Sequence, residues 1–372
     1  MKAVLGAFIL AGAFHVWVSA QEGGAISQAP PSAPKPLDPA AIEERKKDAE
    51  GRLLFSTDAV LEFTLTADFK AVQRDRNPDS RKVFPATMTV ARADGTMGTF
   101  PLNVRKRGHA RRMLQTCTFA PLRLEFQTAH IKDTVFEGHK NIKLGTHCRD
   151  VDLFEQYVPR EYSVYRIYNF LTPRSFRARL AKATYVDAQS KKVVTTRQAI
   201  FIEDDGDVAK RMEGRIIETQ RLVYRRVDWE TVTLMTLLEY MIGNTDWSMY
   251  LLHNVVLVQV PGGPTYPVPY DFDYAGLVDA RYAIPAKQFN LTSVRDRLYL
   301  GPCRPPAELE PFFARFQTIK PQVTELFAAI PGMEDGYRKS AQKYLDRFYQ
   351  TISRPNDVKR AFVEGCNNRA GM

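Results

Sequence analysis

Short segments in which apolar and polar residues alternate constrain the fold of this chain more than any other feature of its sequence. The first segment, VLEFTLTADF, spans residues 60–69, and its side chains change character at almost every step. A period of two is typical of strands that bury one face. The same pattern is found in three more segments, residues 86–91, 99–104 and 121–126. We therefore predict that the N-terminal third is mostly sheet.

The pattern changes to a helical one farther along the chain. Residues 141–145 (NIKLG) predict another strand, and residues 154–171 carry apolar side chains at helical spacing. Two further strands are predicted around residues 183–187 and 198–202, before an acidic segment at residues 203–207 that we interpret as a turn. Helices are predicted from there on, with Trp229–Ile242 the clearest and a long amphipathic stretch at residues 308–352.

Length and composition set broad limits on the architecture. The 372 residues exceed what one hydrophobic core usually serves, which favours two lobes. A hydrophobic content of 44% excludes a wholly disordered chain. The net charge of +10 favours anionic partners but does not distinguish nucleic acid, membrane and phosphate.

The N-terminus has the features of a secretory signal peptide. Lys2 precedes an apolar run over residues 3–18, and Val18-Ser19-Ala20 places small residues at a cleavage position. A membrane anchor is the alternative, but the run is shorter than the about 20 residues that span a bilayer. We predict a signal peptide at residues 1–20, a Pro-rich linker at residues 21–40, and no later transmembrane segment. The expected location is the periplasm, the cell envelope or the extracellular space.

Four cysteines follow the predicted leader, and an even number in an oxidising compartment predicts two disulfides. We predict the local pairing Cys117–Cys148 and Cys303–Cys366, which is one of three possible connectivities. A zinc site that includes His147 is the alternative. No two of the cysteines have the C-x-x-C spacing that such sites use.

Candidate site residues concentrate in residues 241–276. A polar loop with Asp246 precedes a predicted hairpin, and Asp271-Phe272-Asp273 follows its return strand. A hairpin brings the residues before and after it to the same end, so we expect Asp246, Asn254, Asp271 and Asp273 to converge. Carboxylates crowded in this way repel one another unless a cation lies among them, and Mg²⁺ takes one or two carboxylates plus phosphate oxygens.

Glu161 adds a second candidate, because it lies within the apolar stripe of the predicted helix at residues 154–171. A buried carboxylate needs a cation, and Lys143 on the preceding strand could supply it. Lys140 and Arg123 are alternatives for the cation that binds phosphate. Ordinary turn chemistry is the alternative for the Asp-rich loop, since Asn and Asp favour turns.

Several motifs together resemble the CotH-type (spore coat protein H-like) atypical protein kinases. The resemblance covers roughly residues 100–290 and is carried by RGHARR, PLRLEF, NIKL, REYSVYRIYN, GNTDWS…HN and PVPYDFDYAG, in that order. It implies a two-lobed protein-kinase-like fold of the α+β class, with a sheet-rich N-lobe and a mainly helical C-lobe. It also implies ATP, Mg²⁺ or Mn²⁺, and the phosphorylation of a protein hydroxyl.

The resemblance also implies roles for individual residues. Asp246 is the expected catalytic residue, with Lys143 as the phosphate-binding lysine and Glu161 as its helix partner. Asn254, Asp271 and Asp273 are the expected metal ligands, and Arg107, Lys143 and Glu203 are assigned to nucleotide binding. The sequence departs from protein kinases in two respects: it lacks a glycine-rich phosphate loop, for which the basic residues 105–112 are the nearest substitute, and seven residues rather than four separate Asp246 from Asn254.

We therefore expect an N-lobe at residues 41–205 and a C-lobe at residues 206–372. The leading hypothesis is an exported kinase that transfers a phosphoryl group from ATP to a Ser or Thr hydroxyl of a protein substrate. The alternative is a non-catalytic surface-binding or assembly protein with the same fold. Nucleic acid is not an expected partner, because the basic run at residues 105–112 lacks interleaved aromatic residues.

Overall fold

The fold was obtained as a computed structural model, which describes residues 38–366. The strands within this range are β1 (Leu61–Ala67), β2 (Phe84–Ala91), β3 (Met97–Lys106), β4 (Leu122–Phe126), β5 (Asn141–Gly145), β6 (Ala178–Asp187), β7 (Val193–Ile202), β8 (Arg215–Ile217), β9 (Val255–Gln259) and β10 (Thr265–Pro269). The α-helices are α1 (Pro39–Glu50), α2 (Phe69–Arg74), α3 (Asp152–Glu155), α4 (Tyr157–Leu171), α5 (Asp205–Arg211), α6 (Trp229–Ile242), α7 (Pro306–Ala329), α8 (Asp335–Ser353) and α9 (Pro355–Val358).

The first seven strands form a closed barrel in the order β1-β2-β3-β4-β5-β7-β6. Neighbouring strands are antiparallel except β1 and β6, which run parallel and close the barrel. Alternate side chains are buried inside it, among them Leu65, Leu102, Leu124 and Phe201. Closure satisfies the backbone hydrogen bonds that an open sheet would leave unpaired at its edges.

The prediction of a two-lobed protein-kinase-like fold is wrong. The structure has a closed, mixed seven-stranded barrel in the N-terminal region and a helical C-terminal part. The strands predicted from the sequence overlap all seven barrel strands, although β6 and β7 begin earlier than predicted. Local alternation contains no information about the parallel pairing of Leu61 with Ala181 that closes the barrel. The domain boundary predicted after residue 205 falls at the start of α5, and that division stays a prediction.

The C-terminal helices pack around a second core that also includes the outward-facing residues Leu180 and Ile200 of the barrel. A small sheet in the order β10-β9-β8 lies in this region, and its β9–β10 hairpin was predicted from the sequence. The predicted turn at residues 203–207 instead leads into α5, and the stretch at residues 308–352 forms two helices, α7 and α8.

Both predicted disulfides, Cys117–Cys148 and Cys303–Cys366, are confirmed, which leaves no cysteine for zinc. Two disulfides are consistent with an exported protein.

Within residues 38–366, no helix has the length and apolar character needed to cross a membrane. The predicted signal peptide and residues 21–37 of the predicted linker lie outside the described residues. The last residues of that linker instead begin α1, where the Asp38 side chain accepts a hydrogen bond from the Ala41 N–H at 2.8 Å.

Candidate functional site

The loop that carries Asp246 begins where α6 ends. Asp228 caps the start of this helix by accepting a hydrogen bond from the Thr231 N–H at 2.8 Å. At the other end Gly243 adopts a left-handed conformation with φ 68°, which glycine reaches without steric cost. The chain then turns into the loop before β9. The helix thereby fixes the point from which the loop leaves the core.

Asp246 is held by neighbours from its own loop. Its N–H donates to the Asn244 side-chain oxygen at 3.0 Å, and its Oδ1 lies 3.0 Å from Nε2 of His253. The Asn254 amide donates to the Asp246 backbone oxygen at 2.7 Å and to its Oδ2 at 3.2 Å. The hydrogen bond to Asp246 raises the pKa of His253. The Asp246 side chain remains 38% exposed, so its carboxylate is oriented but still accessible to a ligand.

A second acidic group surrounds the buried guanidinium of Arg111, which lies in a short 3₁₀ turn after β3. Arg111 forms an ion pair with Asp271, directly after β10. Its Nε lies 3.3 Å from Oδ2 of Asp273, and its Nη1 lies 3.8 Å from Oε2 of Glu161 on α4. One guanidinium thus contacts three carboxyl groups, of which those of Glu161 and Asp273 are buried.

The charges in this group are not balanced when all three acids are ionised. Burial raises the pKa of Glu161 to about 8 and the pKa of Asp273 to about 7, although Arg111 opposes both shifts. Burial also disfavours ionisation of Asp271, but Arg111, Arg107, Lys143 and His253 together outweigh burial and lower the pKa of that residue. Oε1 of Glu161 and Oδ2 of Asp273 are buried and have no hydrogen-bond partner within residues 38–366. Additional positive charge would therefore stabilise the group.

Lys143 has a different partner from the one predicted. Its ammonium group forms an ion pair with Asp205 at the start of α5 and lies 4.2 Å from the ring centre of Phe176 and 4.6 Å from that of Tyr270. Burial lowers the pKa of Lys143 even though Asp205 opposes the shift. The structure pairs Glu161 with Arg111 instead, because the loop after β3 brings that guanidinium to α4.

A single cleft of about 670 Å³ brings most of the predicted site residues together. Its acidic and amide lining includes Asp246, Asn254, Asp271 and Asp273, and its cationic lining includes Arg107, Arg111, Arg123 and Lys143. The cleft thus has carboxylates suited to a metal ion and cations suited to phosphate. Such a combination can bind a polyphosphate with its metal and place an acceptor hydroxyl beside a carboxylate.

Three cations lie side by side on the outer face of the barrel. Arg105 of β3 is directly opposite Arg123 of β4, which is opposite Lys143 of β5. Like charges in such positions destabilise a sheet. Each cation has its own acid nearby, and the distances are 3.0 Å from Arg105 to Glu125 and 2.6 Å from Arg123 to Asp204.

Two predicted site residues, Glu203 and Glu161, do not line the cleft, and Glu203 lies apart from it altogether. Its carboxylate is fully buried and accepts hydrogen bonds from Arg177 and Arg211. Burial opposes its ionisation, but Arg211 and Arg177 together lower the pKa of Glu203. The contacts of Glu203 are those of a structural ion pair that joins β7 to α5. Glu161 does not line the cleft directly and reaches it through Arg111.

Sequence reasoning missed Arg111 and Asp205 as individual site residues. Arg111 lies in the basic segment at residues 105–112, which was singled out as a whole, and nothing in its local pattern marks it among the five cations there. Asp205 belongs to the acidic segment interpreted as a turn. Only the contacts between distant segments identify these two residues.

The acidic residues do not form a ready-made metal cage. Within the described part of the chain, no group of three or more His, Cys, Asp or Glu side chains is arranged to hold a metal ion. Mg²⁺ sites that serve phosphate chemistry use only one or two carboxylates, with phosphate and water as the other ligands. Asp271, Asp273 and the Asn254 side chain fit that smaller requirement.

No protein-family model matches this chain, and no curated protein matches it. The function is therefore inferred from the geometry and charges of the cleft and from the motifs of the sequence.

Proposed function

We propose that this protein binds ATP with Mg²⁺ or Mn²⁺ and transfers the terminal phosphoryl group to a Ser or Thr hydroxyl of a protein. The observation that carries the proposal is the cleft of about 670 Å³, in which Asp246, Asp271 and Asp273 share one lining with Arg107 and Lys143. The proposal includes a relation to the CotH-type kinases, whose motifs the sequence resembles. It does not depend on a two-lobed fold.

Each residue has a distinct role in this proposal. Asp246 orients the acceptor hydroxyl and accepts its proton, because its carboxylate is exposed to the cleft and held by His253 and Asn254. The acceptor oxygen bonds to the γ-phosphorus as the bond to the β-phosphate oxygen breaks, and ADP leaves. Lys143 and Arg107 bind phosphate oxygens.

Asp271, with Asn254 and Asp273, would hold the metal ion. The metal would neutralise charge on the phosphates as the reaction proceeds. The excess of carboxyl groups over cations around Arg111 supports this assignment, because a divalent ion would replace the protons that burial otherwise retains on Asp273 and Glu161. Tyr165 positions Asp271, since its hydroxyl accepts a hydrogen bond from the Asp271 N–H at 3.0 Å.

The non-catalytic alternative is favoured by one observation. Arg111 already forms an ion pair with Asp271, so the principal metal ligand has a counter-charge from the chain itself. A surface-binding or assembly protein that uses the cleft without turnover would need no further cation.

The test is transfer of ³²P from [γ-³²P]ATP to a hydroxyl-rich acceptor, dephosphorylated casein, by the purified protein in Mg²⁺ or Mn²⁺. We expect Asp246→Asn and Asp271→Asn each to reduce the rate at least about 100-fold, as is usual when a catalytic acid–base group or metal ligand is lost. Asp335→Asn is the matched control, because this aspartate is 93% exposed and does not line the cleft.

Binding is measured separately by the shift of the melting temperature with ATP and metal. A shift without transfer would favour the non-catalytic alternative. The absence of both a shift and transfer would exclude the kinase proposal.

A further inference from the structure

A second cleft, of about 430 Å³, adjoins the first and is far more cationic. The two clefts share Arg107, Gly108 and Arg123 in their linings. Six cationic side chains and only one carboxylate, that of Asp79, line the second cleft. Its cations are Arg81, Arg105, Lys106, Arg107, Arg112 and Arg123. We call it the basic cleft.

Lys106 is a buried cation in this lining. Its side chain is only 1% exposed, and its Nζ has no hydrogen-bond partner within residues 38–366. Burial lowers the pKa of Lys106 to about 8; Arg76 and Arg112 add to this effect and Asp75 opposes it. A buried ammonium group without a hydrogen bond is costly, and an anion in the cleft would reduce the excess of positive charge around it.

Arg112 gives the basic cleft a defined shape. Its guanidinium donates to the backbone oxygens of Asn77, Ser80 and Lys106, and it thereby fastens the loop after α2 to the end of β3. Arg107 contributes Nη1, which is buried without a hydrogen-bond partner within the described residues. Arg112 thus holds the shape of the cleft through backbone contacts, and Arg81 lines the cleft as an exposed cation.

The basic cleft lacks the carboxylates that would hold the metal ion of a metal–nucleotide complex. Asp246, Asn254, Asp271 and Asp273, the groups suited to the metal and to the acceptor hydroxyl, all line the first cleft and none lines the second. Arg111 and Lys143 line only the first cleft, so that cleft has cations of its own for a polyphosphate. An anionic group in the basic cleft would therefore belong to a different part of the reaction, and the shared lining places it next to the first cleft.

We propose that the basic cleft binds an anionic side chain of the acceptor, so that the preferred substrate is a hydroxyl-bearing peptide with acidic neighbours. An extended peptide advances about 3.3 Å per residue, so an acid a few residues from the hydroxyl can reach the adjoining cleft. The ligand chemistry is an oxyanion, either a carboxylate or the phosphate of a residue already modified. The inference rests on the proposed function for the identity of the acceptor.

The experiment uses two fluorescent peptides that differ only in the residues around one serine, with glutamates in one and glutamines in the other. Binding is measured by anisotropy without nucleotide, and phosphorylation is measured with ATP and metal. We expect the acidic peptide to bind at least about tenfold more tightly, since one charge-assisted hydrogen bond is typically enough for that difference. Competition by a phosphoserine peptide tests whether phosphate or carboxylate is the preferred oxyanion. Competition by inorganic phosphate tests whether a free ion binds the cleft without a peptide.

Arg81→Gln/Arg105→Gln should remove this preference and leave binding of the glutamine peptide unchanged. Arg225→Gln/Arg226→Gln is the matched control, because it removes the same charge from exposed arginines outside both clefts. Lys106→Met keeps the length of the buried side chain and should weaken acidic-peptide binding about tenfold without lowering the melting temperature.

The outcomes separate this inference from the proposed function. Phosphate transfer without an acidic preference would overturn the inference alone, and acidic binding without transfer to any acceptor would overturn the kinase function alone. ATP and metal could also displace the acidic peptide from the Arg81→Gln/Arg105→Gln variant and from the native protein alike. This result would assign the peptide to the first cleft and overturn the inference.

Discussion

Individual buried charges in this protein have one of two environments. Arg111 and Lys143 are buried beside carboxylates that favour their ionised forms. Glu239 on α6 is equally buried, but no cation lowers its pKa. Burial raises the pKa of Glu239 to about 8, although the Asn244 amide favours the ionised form. A buried acid without a cation holds its proton at neutral pH.

The first prediction concerns the pH dependence of stability. The pKa of Glu239 rises from 4.5 to about 8 on folding, so the folded state holds a proton that the unfolded state releases between these values. The stability from this group is fully present below about pH 4.5 and is lost as the pH rises to about 8. We expect the free energy of unfolding of Glu239→Gln to depend less on pH than that of the native protein, by more than about 2 kcal/mol between about pH 5 and pH 8.

Urea unfolding at a series of pH values measures this difference. Glu230→Gln is the control, because Glu230 lies on the same helix but is exposed. Parallel pH profiles for the native protein and Glu239→Gln would contradict the prediction.

At the scale of elements, the site depends on the connection between α6 and the hairpin of β9 and β10. Gly243 ends the helix, and the backbone N–H of Gly276 donates to its oxygen at 3.0 Å, so the segment after the hairpin is tied to the segment before it. The Tyr270 N–H likewise donates to the Asn254 oxygen at 2.9 Å. These backbone contacts bring the loop of Asp246 and the segment of Asp271 into the same cleft.

The second prediction tests the close packing at Gly243. A Cβ atom there would lie 2.1 Å from the hydroxyl oxygen of Tyr344, which is itself buried, and the left-handed backbone would be strained as well. We expect Gly243→Ala to reduce the free energy of unfolding by about 2–4 kcal/mol, from backbone strain and overpacking together. Because the loop of Asp246 starts here, activity should fall with stability.

Gly262 in the β9–β10 turn provides the matched control. It has the same φ of 68°, but a Cβ there would have no atom within 4 Å. Gly262→Ala should therefore lower the free energy of unfolding only by the cost of backbone strain, about 1–2 kcal/mol. Equal losses from the two variants in chemical unfolding would show that packing against Tyr344 contributes nothing.

At the scale of the whole molecule, two disulfides connect segments that lie well apart in the chain. Cys117–Cys148 spans 31 residues and joins the segment before β4 to the one after β5. Cys303–Cys366 spans 63 residues and joins the segment before α7 to the end of the helical region. The second bond encloses the whole C-terminal helical array of α7, α8 and α9.

The third prediction is that Cys303→Ser/Cys366→Ser lowers the free energy of unfolding by about 4 kcal/mol. The reason is that the bond removes conformational freedom from a long loop of the unfolded chain. Urea unfolding under non-reducing conditions measures the loss, and the variant should lose further stability in dithiothreitol because Cys117–Cys148 remains. A loss below about 1 kcal/mol would contradict the prediction.

The sequence by itself determined the local structure of this protein. The strand segments, α6, the β9–β10 hairpin and the convergence of Asp246 with Asp271 all follow from periodicity, caps and turn residues that lie close together in the chain. The disulfide pairing also agreed with the simplest local choice.

Only the tertiary structure decided how these parts combine. The parallel pairing of β1 with β6 closed the barrel, and spatial contacts gave Glu161 the counter-charge of Arg111 and gave Lys143 that of Asp205. Glu203, which the sequence placed with the nucleotide, became a structural partner of Arg177 and Arg211. The physical reason is that several cations could reach each buried acid, and the choice among them depends on distances that local patterns do not contain.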